Sequence, residues 1–117
     1  MKLWEIRDIL EAEVIVEGNY SDREIIMACG SDLMSDVLSL IKPDSLLLTG
    51  LTNSQVVRTA EIAEIIAICF VRCKKPQNET IELAREKGIP LLATKFSMYV
   101  ACGRLYKNGL PGWDDLK

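Results

Sequence analysis

Ile65-Ile66-Ala67-Ile68-Cys69-Phe70-Val71 is apolar at every position, with no alternation between faces. A strand with one wet face shows a period of two. An unbroken run of this length instead fits a strand buried on both faces in the middle of a parallel sheet. Parallel neighbours need crossover connections, and the flanking segments can supply them. Upstream, Thr52-x-x-Gln55 fits a capping box for a helix reaching about Glu64, with Val56, Ala60 and Ala63 on its inner face. Downstream, Lys74-Lys75-Pro76 reads as a loop and Asn78 as a cap. A helix then runs from Glu79 to Lys87 and is closed by Gly88, where a left-handed residue commonly ends helices.

The same alternation extends outward in both directions. Ser45 to Thr49 is a strand broken by Gly50, and Ile89 to Ala93 is another. Before them, Arg23 to Cys29 reads as a strand ended by Gly30. Ser31 can then cap a helix whose rows Leu33, Val37, Leu40 and Met34, Leu38, Ile41 are amphipathic, and Pro43 stops it. At the start, Leu3, Ile6 and Leu10 share a face of a helix spanning Leu3 to Glu11. A short strand from Glu13 to Glu17 and a turn at Gly18-Asn19-Tyr20 follow it. The last helix covers about Ser97 to Lys107 with Met98, Ala101, Cys102 and Leu105 inward, and Gly109-Leu110-Pro111-Gly112 begins a tail. Strands separated by helices of about ten residues predict a three-layer α/β/α sandwich around a mostly parallel five-stranded sheet. Residues 1–108 form the single domain and 109–117 the tail.

Composition narrows the function. The chain has 117 residues, 49% of them hydrophobic and 26% charged, with a formal net charge of −3. Such a chain builds an ordinary globular core. A slightly acidic balance speaks against nucleic acid, whose backbone demands a concentrated basic surface. No basic-then-apolar leader opens the chain and no apolar run approaches the ~20 residues of a bilayer span, so the expectation is a cytoplasmic protein without membrane contact. Cys29, Cys69, Cys73 and Cys102 then read as reduced thiols in a reducing compartment. A metal site is not expected. No histidine is present, and an extended strand would hold Cys69 and Cys73 more than about 10 Å apart. Cys73, beside Arg72 and Lys74, is the cysteine expected to reach solvent, which leaves a minor reading as a redox sensor.

In open α/β sheets ligands bind beyond the carboxyl ends of the strands, where helix N-termini favour anions. Three segments should meet there: Thr49-Gly50-Leu51-Thr52-Asn53-Ser54, Arg72-Cys73-Lys74-Lys75 and Thr94-Lys95-Phe96-Ser97. Thr52, Asn53, Ser54 and Ser97 also serve as ordinary helix caps. Arg72, Lys74 and Lys75 form the dense basic cluster, able to hold a phosphate or carboxylate as well as to sit in water. Catalysis is not expected: the chain lacks an imidazole for base work, a nucleophile-elbow serine and a Gly-x4-Gly-Lys-Ser/Thr phosphate loop. Two readings stay open. One is a sensor for a small anionic metabolite, and the other is a docking subunit of a larger redox or regulatory complex, presenting the tail Leu110 to Leu116 with Phe96 and Tyr99.

The opening Lys2-Leu3-Trp4-Glu5-Ile6-Arg7-Asp8-Ile9-Leu10 and the run Ala84-Arg85-Glu86-Lys87-Gly88-Ile89-Pro90-Leu91-Leu92-Ala93-Thr94 resemble the DRTGG domain family, as does the stretch Thr94 to Tyr106. The architecture is similar to the N-terminal domain of bacterial HPr kinase/phosphorylase. This resemblance implies an accessory regulatory module that commonly pairs as a homodimer, is often attached to nucleotide-sensing CBS pairs, needs no cofactor, and lacks the kinase's separate phosphate-loop domain. Where the family pattern has Gly-Asp-Arg after the third strand this chain has Gly50-Leu51-Thr52, and where it has Thr-Gly-Gly after the fourth it has Arg72-Cys73-Lys74. Gly50 carries over, and Thr94 and Tyr99 match the closing segment. The candidate ligand-binding residues are therefore Thr49, Gly50, Thr52, Asn53, Arg72, Lys74, Thr94, Ser97 and Tyr99, with a nucleotide or phosphorylated metabolite as the ligand class.

Overall fold

The computed structural model describes residues 1–19 and 22–116. In chain order the elements are α1 (Leu3–Leu10), β1 (Glu13–Val16), β2 (Met27–Gly30), α2 (Met34–Leu40), β3 (Ser45–Thr49), α3 (Gln55–Ala63), β4 (Ala67–Phe70), α4 (Asn78–Lys87), β5 (Leu91–Ala93), α5 (Met98–Lys107) and α6 (Trp113–Leu116). The strands form one sheet in the order β1-β5-β4-β3-β2. Neighbours from β2 through β5 are parallel, and β1 closes the sheet antiparallel to β5.

Every residue of β3 and of β4 is buried, as the unbroken apolar runs require. Successive side chains still go to opposite faces. Leu47, Ile68 and Phe70 join α2, α3 and α4 in one layer, whereas Leu46, Leu48, Ala67 and Cys69 join α1 and α5 in the other. Burying a leucine completely contributes about 1.5–3 kcal/mol. Leu46, Leu47 and Leu48, all at 0% exposure, thus bind both helical layers to a single strand. On the α1 side the expected face of Leu3, Ile6 and Leu10 is buried. Gly88 ends α4 in the left-handed conformation at φ 71°.

Several local expectations are corrected. The second strand begins at Met27 rather than Arg23 and includes Gly30. The capping box does not form: Ser54 is the N-cap of α3 without a side-chain cap bond, and Asn53 Oδ1 accepts the Gln55 N–H instead. The Thr52 carbonyl is occupied by Gln77 N–H and Thr80 Oγ1, which ties α3 to α4. Helix α2 starts at Met34 and buries Met34 and Val37 only. Leu33, Leu38 and Leu40, expected inward, are exposed, because a seven-residue helix at the sheet's edge has one neighbouring helix to pack on. Of the expected Gly18-Asn19-Tyr20 turn, Tyr20 lies outside the described residues, as does Lys117 of the tail. The tail is not loose: Leu110 is buried in the α1/α5 layer and the Pro111 carbonyl accepts the Ala28 N–H on the edge of β2.

Candidate functional site

The chain leaves β4 toward α4 on one face of the sheet and leaves β5 toward α5 on the other. Diverging connections of this kind open a crevice between strand ends, the usual ligand position in open α/β sheets. Here the crevice is closed. Arg72 N–H donates to the Phe96 carbonyl at 2.8 Å and Cys73 N–H to the Thr94 carbonyl at 3.0 Å, so the two loops continue the sheet past its strands. Both Arg72 and Cys73 adopt the left-handed conformation, at φ 58° and 59°. Side chains other than glycine adopt it at a cost of about 1–2 kcal/mol each. Consecutive residues held this way mark a segment fixed by its surroundings.

The partner loop is equally fixed. Thr94 is buried, and its hydroxyl donates to the Leu10 carbonyl at 2.6 Å while accepting the Phe96 N–H. The Arg104 guanidinium lies 4.0 Å from the centre of the Phe96 ring and donates to the Ile9 carbonyl. Ser97 caps α5, its hydroxyl accepting the Val100 N–H. The first-turn N–H groups of Met98 and Tyr99 have no acceptor among the described residues.

Open space lies to one side of this closed seam. A cleft of about 470 Å³ is lined by Gly30, Ser31, Asp32, Val71, Arg72, Ser97, Met98 and Tyr99. Under its rim, Asp32 Oδ1 accepts the Thr49 hydroxyl at 3.0 Å and the Gly50 N–H at 2.7 Å, which joins the ends of β2 and β3. Arg72 reaches across: its Nη2 and both Asp32 oxygens lie within 3.5 Å of where a Cβ on Gly50 would stand. A Cβ at this position would touch all three atoms in ordinary van der Waals contact. Arg72 and Lys74 form no ion pair among the described residues, whereas Lys75 pairs with Glu13 and Lys95 with Glu11.

Of the residues expected in the site, Arg72, Ser97 and Tyr99 line the cleft, with Thr49 and Gly50 beneath it. Thr52 and Asn53 sit at the start of α3, engaged in backbone bonding. Lys74 is exposed, and Thr94 lines a separate small hollow with Cys73 and Lys75. Gly30, Ser31 and Asp32 were missed, although the strand-end rule used for β3, β4 and β5 applies equally to β2. No group of three or more metal-ligating side chains exists among the described residues. Burial pushes the Cys69 thiol up to about 12, and burial also raises those of Cys29 and Cys102. Cys73 is the exposed cysteine.

The fold matches a solved structure, the CBS and DRTGG domains of the regulatory region of Clostridium perfringens pyrophosphatase complexed with its activator, diadenosine tetraphosphate. The TM-score is 0.74 at 20% identity. The alignment covers 94% of this chain, which spans about half, 47%, of that structure. A search of the curated proteins returns no match. The family model described as the DRTGG domain matches residues 5–107, nearly the whole sandwich from α1 through α5. The chain belongs to the DRTGG domain family.

Proposed function

We propose that this chain is a non-catalytic regulatory module that binds a small anion, a nucleotide or phosphorylated metabolite, in the cleft between β2, the β4 loop and the start of α5. The observation that carries the reading is Arg72: a left-handed backbone pinned by two interloop hydrogen bonds holds its guanidinium at the cleft, without an ion pair among the described residues. Beside it, Ser97 and the free N–H groups of Met98 and Tyr99 present the positive end of α5. An arginine in this setting suits a phosphate, to which it offers a planar, paired set of donors. Asp32 is the opposing charge, and it works mainly as a strut between β2 and β3. Regulation is supported by the family and by the regulatory region that shares the fold. No helix among the described residues is long and apolar enough to cross a membrane.

Thermal-shift titration with inorganic phosphate and a panel of phosphorylated metabolites tests this. A ligand at 100 times its dissociation constant stabilises the folded state by about 2.7 kcal/mol. Arg72→Ala should abolish the shift. Asp32→Asn, which keeps both accepted hydrogen bonds and removes the negative charge, should tighten phosphate binding. Silence across the panel, or an Arg72→Ala variant that binds like the parent, overturns the proposal.

Of the surface that the docking reading expected, Tyr99 and Leu116 are exposed, whereas Leu110 is buried and Phe96 is half-buried against Arg104; other exposed apolar side chains stand elsewhere. Leu33 and Leu38 on the flank of α2 and Ile62 on α3 are exposed, at 57%, 47% and 71%. Pairing of two chains through this side is the form of docking that the reading supports, and sedimentation of Leu38→Glu against the parent tests it.

A further inference from the structure

Helix α5 carries Tyr99, Gly103 and Tyr106 at spacings of four and three, so they share one face. Both tyrosines are largely in water, Tyr99 at 88% and Tyr106 at 62% exposure. Between them a glycine stands mid-helix, where it weakens the helix relative to alanine. Packing inside the chain does not demand it: a Cβ built on Gly103 would meet no atom within 4 Å. What the missing side chain does provide is a notch between the tyrosines, which stand about 10 Å apart along the axis at ~1.5 Å per residue.

The notch opens into a groove of about 430 Å³ closed on its far side by Ala28 and Gly30 of β2 and by Leu110 and Pro111. Small-molecule sites commonly occupy roughly 300–1,000 Å³ and have mainly apolar walls, as this groove has. Gly30 and Tyr99 line both the groove and the cleft that holds Arg72 and Ser97, so the two hollows adjoin. At the junction a Cβ on Gly30 would lie 2.8 Å from Cys102 Sγ and Met98 Sδ, which shows how closely the strand passes under α5.

The geometry points to a single ligand for both hollows: an anion with a planar aromatic body, its ring over Gly103 against the tyrosines and its charge at Arg72. An aliphatic chain would make no particular use of the flanking rings. This inference rests on the anion reading above and adds the body of the ligand to it.

Calorimetric titration of the full chain with AMP, adenosine and inorganic phosphate tests it, with indole-3-acetate against acetate separating an aromatic carboxylate from a nucleotide. Stacking on an exposed tyrosine should make a ring-bearing anion at least about tenfold tighter than its ring-free counterpart. Gly103→Leu fills the notch at a position with free space. It should remove that tenfold gain while leaving phosphate binding and the melting temperature undiminished. Tyr99→Ala, at an exposed side chain, is the second variant and should reduce the gain. If phosphate binds through Arg72 but neither ring-bearing anion is tighter, this inference falls and the anion reading stands. A gain that survives both variants also sinks it, as does a dimer that Gly103→Leu dissociates without any ring-dependent binding. If nothing binds, both readings fail.

Discussion

Replacing Cys73 with glycine isolates the backbone cost of the seam between the β4 and β5 loops. Cys73 is exposed, so its side chain contributes little packing, but it is held at φ 59° by the bond from its N–H to the Thr94 carbonyl. A left-handed residue with a Cβ costs about 1–2 kcal/mol. Glycine removes that cost but enlarges the entropy of the unfolded chain, worth about 0.4–1 kcal/mol in the opposite sense. A net gain of roughly 0.5–1 kcal/mol follows. Unfolding entropies near 2.1 cal/mol/K per residue, over 117 residues, convert that to a melting temperature about 2–4 °C higher. Differential scanning calorimetry resolves such a shift. The control is Cys73→Ala, which keeps the Cβ and should stay within about 0.5 kcal/mol of the parent. A Cys73→Gly protein that melts at or below the parent temperature would refute the claim that strain is stored here.

Cys69, raised from 9.0 to about 12 by burial, favours the fold fully below pH 9 and loses that contribution as pH rises toward 12. The loss is on the order of 4 kcal/mol, and urea melts of Cys69→Ala should show a correspondingly shallower alkaline decline than the parent. Gly18→Ala should cost about 3 kcal/mol, since φ is +55° and the new Cβ would lie 2.7 Å from the Gly88 carbonyl oxygen. Gly109→Ala, also left-handed but with nothing within 4 Å, should cost only about 1 kcal/mol in the same denaturation assay. Thr94→Val leaves the Leu10 carbonyl and the Phe96 N–H without their partner and should lower stability by about 1–3 kcal/mol, read as a shift in the urea midpoint.

The layers were legible because burial on two faces leaves an unmistakable pattern. Leu46-Leu47-Leu48 and the run through Phe70 could hardly occupy any other place, and Gly88 closed its helix as its type requires. Where one residue has two partners to choose from, the sequence was silent. Thr52 looked like a cap, yet its backbone is taken by α4, a contact between segments far apart in the chain. The bonds of Asp32 to Thr49 and Gly50 exist only because β2 and β3 lie side by side, a pairing that the spacing of the strands does not state. Most informative is the β4 loop. Its letters, Arg72-Cys73-Lys74, include no glycine, yet the backbone at Arg72 and Cys73 is left-handed. The bonds from Arg72 and Cys73 to the β5 loop hold side-chain-bearing residues in a conformation that glycine adopts more easily, and no reading of side-chain types reveals that.

The bond from Ala28 to Pro111 also bears on how shortened versions of this chain would behave. A fragment ending at residue 108 keeps every strand and the five longer helices, yet it strips the cover from the outer rim of β2 and unseats Leu110. Bare sheet rims recruit one another indiscriminately. Clumping of such a fragment would be an artefact of trimming, and only the untrimmed chain can report whether two copies meet in a defined way.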